Sequence, residues 1–153
     1  MRTPFLFLAM LCAPLVQAAE HWTLNDQFDQ AFTLDDKTRV VMVARSMATA
    51  RLVNNAVEHT PEGYLEARGV VFVADIEKMP SMVAAVMVPA MRSANYRILL
   101  DRDGEVAKGY GGDRESVQWL EVQDGKVMAE QRYSDLPSLR QALVKMAGRV
   151  AGG

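Results

Sequence analysis

Continuous apolar runs alternate along this chain with segments whose apolar residues recur at helical spacing. The runs Arg39–Ala44 and Gly69–Ile76 are rich in β-branched residues, which favours strands buried on both faces. Between them, the spacing of apolar residues over 48–59 predicts a helix, with Ser46 or Thr49 as its N-cap. The first half of the chain therefore predicts strand, helix and strand in that order.

The remaining segments continue this alternation. They predict a short N-terminal hairpin of Trp22–Leu24 with Ala31–Leu34, an apolar helix Ser81–Arg92 that Pro89 kinks or ends, a strand Tyr96–Leu100, a turn Asp101–Gly104, a short helix Glu105–Tyr110, a hairpin of Ser116–Val122 with Lys126–Arg132, and a closing helix Ser134–Met146. This order predicts an α/β fold: a mixed central sheet flanked by helices, with a C-terminal β-hairpin and a closing helix. Residues 19–153 contain no repeat or linker and are predicted to form a single domain.

Residues 1–18 have the features of a signal peptide. Arg2 supplies a positive start, Phe5–Val16 is an apolar run, and Ala18 ends a small-residue cleavage pattern. We expect cleavage after Ala18, with cleavage after Ala19 as the alternative, and a periplasmic or secreted mature protein. The competing interpretation is an uncleaved interfacial anchor, because the apolar run is too short for a permanent membrane span.

Cysteine usage limits the chemistry that the mature chain can perform. Cys12 is the one cysteine of the 153 residues, and it lies within the predicted signal peptide. A lipidated cysteine normally follows a small residue, whereas Leu11 precedes Cys12, so a lipoprotein signal is not favoured. After cleavage no thiol remains, which excludes thiol–disulfide chemistry and leaves the core without disulfide support.

Charge and hydropathy exclude two further classes of function. The formal net charge is -2, and no stretch forms the basic patch that a nucleic-acid-binding protein needs. No segment after the predicted signal peptide is long and apolar enough to span a bilayer. We therefore predict neither nucleic-acid binding nor a permanent membrane span.

Two segments resemble thioredoxin-like proteins of the peroxiredoxin and thiol–disulfide oxidoreductase branch. Tyr96–Gly111 (YRILLDRDGEVAKGYG) resembles the family's stretch Y-x-V-L-L-D-x-D-G-x-V-A-x-x-Y-G, and Trp119–Val127 resembles its last strand pair. Together with the N-terminal hairpin ahead of the first core strand, the resemblance covers nearly the whole mature chain. It implies a thioredoxin-like fold.

The same resemblance implies that the family's redox site is missing. The family's reactive cysteine follows the first core strand, where this chain has Arg45–Arg51 (RSMATAR) without cysteine. The family's cis-proline position falls near Glu115–Val117, which contains no proline. The chain is therefore identified as a cysteine-less, divergent member that is redox-inactive, since a fold does not carry its usual function with it.

Candidate ligand-binding residues gather where the strands end, because ligands of open α/β sheets bind outside the carboxyl ends of the strands. These residues are Arg45, Ser46, Thr49, Asp75 and Ser116. They predict a pocket in which Arg45 and helix amides hold a small anion, or alternatively a non-thiol catalytic or cofactor site of unknown cofactor. The competing interpretation is structural, with an ion pair of Arg45 and Asp75 and a helix cap of Ser46 or Thr49.

Copper binding is a further alternative. Four methionines lie on or beside one predicted helix: Met79, Met82, Met87 and Met91. Thioethers bind Cu(I), although methionine also fills cores and adaptable partner surfaces. Cleavage after Ala18 makes His21 the third residue of the mature chain, where it could complete a square-planar site for Cu(II) or Ni(II). A frayed terminus is the alternative.

The segment Asp101–Gly104 resembles part of a calcium-binding loop, but the residues that would supply the later ligands do not follow in the sequence.

These patterns together favour an exported binding or accessory protein over an enzyme. Its expected partner is a protein or a small anionic ligand. A non-thiol enzyme that uses the old redox pocket, and periplasmic copper binding through His21 and the methionines, remain the alternatives.

Overall fold

The computed structural model describes residues 21–151, with side chains through Ala147. The predicted signal peptide, Cys12 and both predicted cleavage positions lie outside the described residues. The strands are β1 Thr23–Asp26, β2 Ala31–Thr33, β3 Val40–Ala44, β4 Val70–Asp75, β5 Leu99–Asp101, β6 Val117–Gln123 and β7 Lys126–Tyr133. The helices are α1 Met47–Val57, α2 Tyr64–Ala67, α3 Ser81–Met91, α4 Glu105–Tyr110 and α5 Leu136–Ala151.

The seven strands of the described residues form one mixed sheet in the order β2-β1-β5-β4-β3-β6-β7. The central strands β3, β4 and β5 are parallel, whereas β6 pairs antiparallel with β3 and β1 pairs antiparallel with β5. The two hairpins β1–β2 and β6–β7 extend the sheet at its two sides. The predicted fold class is confirmed: a mixed sheet with helices, a C-terminal hairpin and a closing helix.

Each face of the sheet has its own apolar core, because successive residues of a strand point to opposite faces. On one face, Met42 and Ala44 of β3 pack in a cluster with Val53 of α1 and Leu139 of α5. On the opposite face, Val41 and Val43 of β3 pack with residues that include Ala107 of α4. The continuous apolar run of β3 is explained by this burial on both sides.

Strand β5 differs from its predicted range. It was expected over Tyr96–Leu100, but the structure begins it at Leu99. The buried side chain of Gln27 donates to the Tyr96 carbonyl at 2.8 Å and accepts from the Ile98 amide at 2.9 Å. The side-chain amide of Gln27 supplies the hydrogen bonds that a neighbouring strand would otherwise provide. The backbone groups just before Leu99 are therefore hydrogen-bonded although they pair with no strand.

The predicted turn Asp101–Gly104 is present as a bend over 102–104, but Asp101 itself belongs to the preceding strand. It is the last residue of β5 and is fully buried. Two smaller differences concern helices: α2 was not predicted, and α5 continues to Ala151, past the expected end at Met146. Neither difference changes the order of the strands in the sheet.

Within the part of the chain that the structure describes, no helix has the length and hydropathy needed to cross a membrane.

Candidate functional site

A cavity of about 280 Å³ opens at the carboxyl ends of β3 and β4, between α1 and α3. Of the five predicted ligand-binding residues, Arg45, Ser46 and Asp75 line this cavity, whereas Thr49 and Ser116 do not. Most of the lining is apolar, and Met47, Met79 and Met91 contribute to it. The structure therefore brings three of the predicted residues to one concave site and adds an apolar wall that the site prediction did not include.

Ser46 and Thr49 form the N-terminal cap of α1. The Ser46 hydroxyl accepts from the Thr49 amide at 3.1 Å, and the Thr49 hydroxyl accepts from the Ser46 amide at 3.1 Å. This reciprocal capping box satisfies two amides at the start of the helix. The Ser46 hydroxyl also donates to the Arg114 carbonyl at 2.7 Å. The helix-cap interpretation of both side chains agrees with this geometry.

Arg45 extends beneath α4 and does not form the ion pair with Asp75 that the structural interpretation expected. Its Nη2 donates to the Ala107 carbonyl and to Oε1 of Gln118, both at 2.7 Å. The side chain is buried, and its Nη1 has no hydrogen-bond partner in the described residues. Burial lowers the pKa of the Arg45 guanidinium, and the charges of Asp75 and Asp113 partly offset that effect.

A chain of polar side chains continues outward from Arg45. Gln118 is fully buried, and its Nε2 donates to Oε1 of Glu130 at 2.9 Å. Arg132 joins Glu130 to Asp113, with N–O distances of 3.0 Å and 2.7 Å. The hydroxyl and amide of Ser116 donate to Asp113, which contributes to a pKa of about 2 for that carboxyl. Ser116 thus belongs to this network rather than to the cavity wall.

The loop that joins α4 to β6 is packed tightly against Arg45. A Cβ atom built on Gly112 would overlap Nη1 and Cζ of Arg45 and approach Oε1 of Gln118 within 2.7 Å. No larger residue fits there unless the guanidinium moves. The same loop carries Arg114 to the mouth of the cavity. Arg45 therefore helps to position a loop that forms part of the candidate site.

Two carboxylates lie side by side at the carboxyl edge of the sheet. Asp75 and Asp101 are register partners at the ends of β4 and β5. Asp101 accepts from the Ala107 amide at 2.8 Å through Oδ2, while its buried Oδ1 has no hydrogen-bond partner among the described residues. Burial raises the pKa of Asp101, and the charge of Asp75 adds to that increase. The sequence prediction included Asp75 but missed the buried role of Asp101.

The residues considered for copper binding differ in their burial and contacts. Met79 and Met91 line the cavity, Met87 is half-buried, and Met82 is largely exposed. Nδ1 of His21 lies 2.9 Å from the Leu34 carbonyl oxygen. A metal bound through that nitrogen would have to displace this contact. The described residues contain no cluster of three or more histidine, cysteine or acidic side chains suited to a metal ion.

Sequence reasoning missed several residues of the cavity, in particular Met47, Lys78 and Arg114. Met47 directly follows the predicted cap, so its position could have been inferred from the start of α1. Arg114 is 69 positions beyond Arg45 in sequence, and no local signal links it to α1. Another cavity, of about 130 Å³ near the amino end of β4, contains none of the predicted site residues.

Comparisons with known proteins agree on the fold. No protein-family model matches the chain, and no curated protein matches it. Among solved structures, it is similar to one described as the thiol:disulfide interchange protein DsbE from Chlorobium tepidum, with 19% identity, 86% of this chain and 94% of that chain covered, and a TM-score of 0.58.

Two further solved structures show the same similarity. Peroxidoxin BcpB from Mycobacterium tuberculosis has 16% identity and a TM-score of 0.54, with 84% of this chain and 93% of that chain covered. StoA from Bacillus subtilis has 12% identity and a TM-score of 0.52, with 80% and 96% covered. The chain therefore has a thioredoxin-like fold, as the sequence resemblance implied. Similarity at this level of identity defines the fold and leaves the function to the site. The described residues contain no cis peptide bond, and this includes Glu115–Val117, near which the resemblance places the family's cis-proline.

Proposed function

We propose that this chain is an exported binding protein that uses a thioredoxin-like domain without thiol chemistry, and that a polypeptide partner occupies the cavity between α1 and α3. One observation carries this proposal: the cavity of about 280 Å³ has mainly apolar lining at the carboxyl ends of the strands. Its volume is just below the roughly 300–1,000 Å³ of typical ligand pockets, which suits a single large side chain.

The hydroxyl groups near the cavity support binding over catalysis. Ser46 donates to the Arg114 carbonyl, and Thr49 donates to the Ser46 carbonyl at 3.1 Å. Ser116 donates to Asp113 at 2.8 Å. A serine or threonine nucleophile needs a general base within hydrogen-bonding distance. The hydroxyls of Ser46 and Thr49 contact carbonyl oxygens, backbone amides and each other, none of which is a general base. Asp113 is a weak base because its pKa is held at about 2.

The test is to select peptide ligands and then fill the cavity. Peptides are selected by phage display on the chain from Ala19 onward, and their affinity is measured by fluorescence anisotropy. Ala50 lines the cavity and is half-buried on α1, so Ala50→Phe should reduce affinity about tenfold or more by occupying the space. Ala142 is half-buried on α5 and is absent from the cavity lining, so Ala142→Phe serves as the matched control.

Circular dichroism establishes that both variants fold. Because Ala50→Phe could fail to fold, Met47→Ala provides a milder change at an exposed residue of the lining and should also weaken binding. Failure to select any peptide, or equal affinity of the Met47→Ala variant and the wild type, would contradict the proposal. Cell fractionation tests export, and recovery of the chain in the cytosolic fraction alone would refute that part; amino-terminal sequencing of the exported protein then tests cleavage after Ala18.

A further inference from the structure

Helix α3 presents an apolar surface beside the cavity, which we call the α3 ridge and define as Met82, Val83 and Val86. Met82 is 84% exposed and Val86 is 70% exposed. Ser81 is the one polar residue of this helix, and Val88 is its one buried residue. A helix that is apolar all round is normally buried, and contiguous exposed apolar surface marks a site of interaction.

Cationic side chains flank the ridge on both sides. Lys78 and Arg114 line the cavity on the α1 side, and Arg92 and Arg102 line a second groove on the opposite side of α3. All four are exposed, and none forms an ion pair with a carboxylate in the described residues. Their charges are opposite in sign to the net charge of -2 carried by the whole chain.

Two further features increase the positive character of this region. The acidic residues that line these two concave surfaces are Asp75 and Glu77, fewer than the four exposed cations. Both α1 and α3 begin at the cavity, and neither has an acidic residue in its first turn. The partial positive charge at the start of each helix is therefore not offset by an acidic side chain of the first turn.

We propose that the partner segment is acidic as well as apolar: a large apolar side chain enters the cavity, further apolar side chains cover the α3 ridge, and flanking aspartate or glutamate residues face the four cations. This inference rests on the proposed binding function and names the chemistry of the partner. Helix α3 is about 16 Å long at 1.5 Å per residue. A ligand confined to the cavity would leave Met82 and Val86 uncovered, so an extended polypeptide segment fits better.

Two other occupants fit the charges and shape less well. A second copy of this chain, paired ridge to ridge, would bring the flanking cations of both copies together, and like charges across an interface disfavour association. An anionic membrane surface attracts cations, but helices that lie on membranes combine an apolar face with a strongly charged one. Helix α3 has no charged residue, and a flat lipid surface would not fill the adjacent cavity.

The test compares two synthetic peptides that differ in flanking charge alone. Both contain the same central leucine and phenylalanine residues, flanked by aspartate and glutamate in one peptide and by lysine in the other. We expect the acidic peptide to bind the chain from Ala19 onward about tenfold more tightly at low salt, measured by fluorescence anisotropy. That preference should shrink as the salt concentration increases, because exposed charges are screened.

Charge reversal identifies which residues recognise the peptide. The double variant Lys78→Glu/Arg114→Glu should lose the preference for the acidic peptide or reverse it. Lys126→Glu/Lys145→Glu, at exposed positions absent from both concave surfaces, is the matched control and should leave the preference unchanged. Met82→Ser and Val86→Ser should each lower the affinity for the acidic peptide. Both side chains are exposed, so their loss removes apolar contact with the peptide without opening the core.

The possible outcomes separate this inference from the proposed function. Equal binding of both peptides, or binding unaffected by Met82→Ser and Val86→Ser, overturns the acidic-partner inference while the binding function stands. If neither peptide binds while phage-selected peptides do, the inference also fails and the function stands. If selected peptides do not bind either, both fail. Binding to phosphatidylglycerol vesicles without peptide, or a concentration-dependent dimer in analytical ultracentrifugation that Val86→Ser abolishes, overturns the inference in favour of a membrane or a second copy.

Discussion

Replacing Gln118 with leucine is expected to lower the free energy of unfolding by about 2–4 kcal/mol, because hydrogen bonds to a buried charge and to a backbone carbonyl would both be lost. Gln118 is fully buried; its Oε1 accepts from Arg45, and its Nε2 donates to the Tyr110 carbonyl at 3.0 Å. Leucine has a similar size but offers no polar atom. Urea denaturation of the two proteins measures the difference.

A double-mutant cycle separates the lost hydrogen bond from a simple packing defect. In the variant Arg45→Met/Gln118→Leu the buried charge is removed with its partner, so part of the lost stability should return. Gln131→Leu, at an exposed position of β7, is the matched control and should change stability by less than about 0.5 kcal/mol. Additive effects of the two substitutions would show that Gln118 and Arg45 are not energetically coupled.

Asp101→Asn is expected to change how stability depends on pH. Burial raises the pKa of Asp101 above its ordinary value of 3.8, so the folded chain holds this proton more tightly than the unfolded chain does. The resulting contribution to stability is complete below the unfolded pKa and is lost as the pH rises through the folded pKa. Each unit of increase in pKa corresponds to about 1.4 kcal/mol.

Asparagine has no such titration, and its amide oxygen can still accept from the Ala107 amide. The free energy of unfolding of the Asn variant, relative to that of the wild type, should therefore increase as the pH rises from the ordinary carboxyl pKa of 3.8 through the raised pKa of folded Asp101. Urea titrations at several pH values measure this difference. Asp103→Asn, an exposed position two residues later, is the control. Parallel pH profiles for the Asp101→Asn variant and the wild type would show that Asp101 has the same pKa in the folded and unfolded chains.

Local sequence determined the elements of the sheet and the start of α1. The apolar run of β3 predicted a strand buried on both faces because a run without polar residues cannot face water on either side. Ser46 could be recognised as a cap because capping involves residues three positions apart. The fold class followed from the order of these elements, since short connections and right-handed crossovers leave few topologies.

Tertiary structure alone decided the partners of the polar side chains. Arg45 directly follows β3 and Asp75 is the last residue of the neighbouring strand β4, so an ion pair between them was a reasonable expectation. The structure instead places Arg45 against Ala107 and Gln118, which are 62 and 73 positions away in sequence. Such distant contacts depend on how the strands and α4 pack, and no local pattern encodes them. Asp101 was misread for the same reason, because its burial depends on the position of α4.

The surface chemistry of the site was also decided by packing. The sequence of α3 is apolar throughout, a pattern typical of a buried helix, yet Val88 is the one residue of this helix that the fold buries. The hydropathy of a residue indicates how much free energy its burial would contribute to stability. The packing of the other helices and strands determines whether the residue is covered. The sequence by itself determined the fold class and, on the predicted cleavage, the absence of a thiol from the mature chain. The tertiary structure decided that an apolar cavity lies at the carboxyl ends of β3 and β4 and that the α3 ridge, flanked by cations, lies exposed beside it.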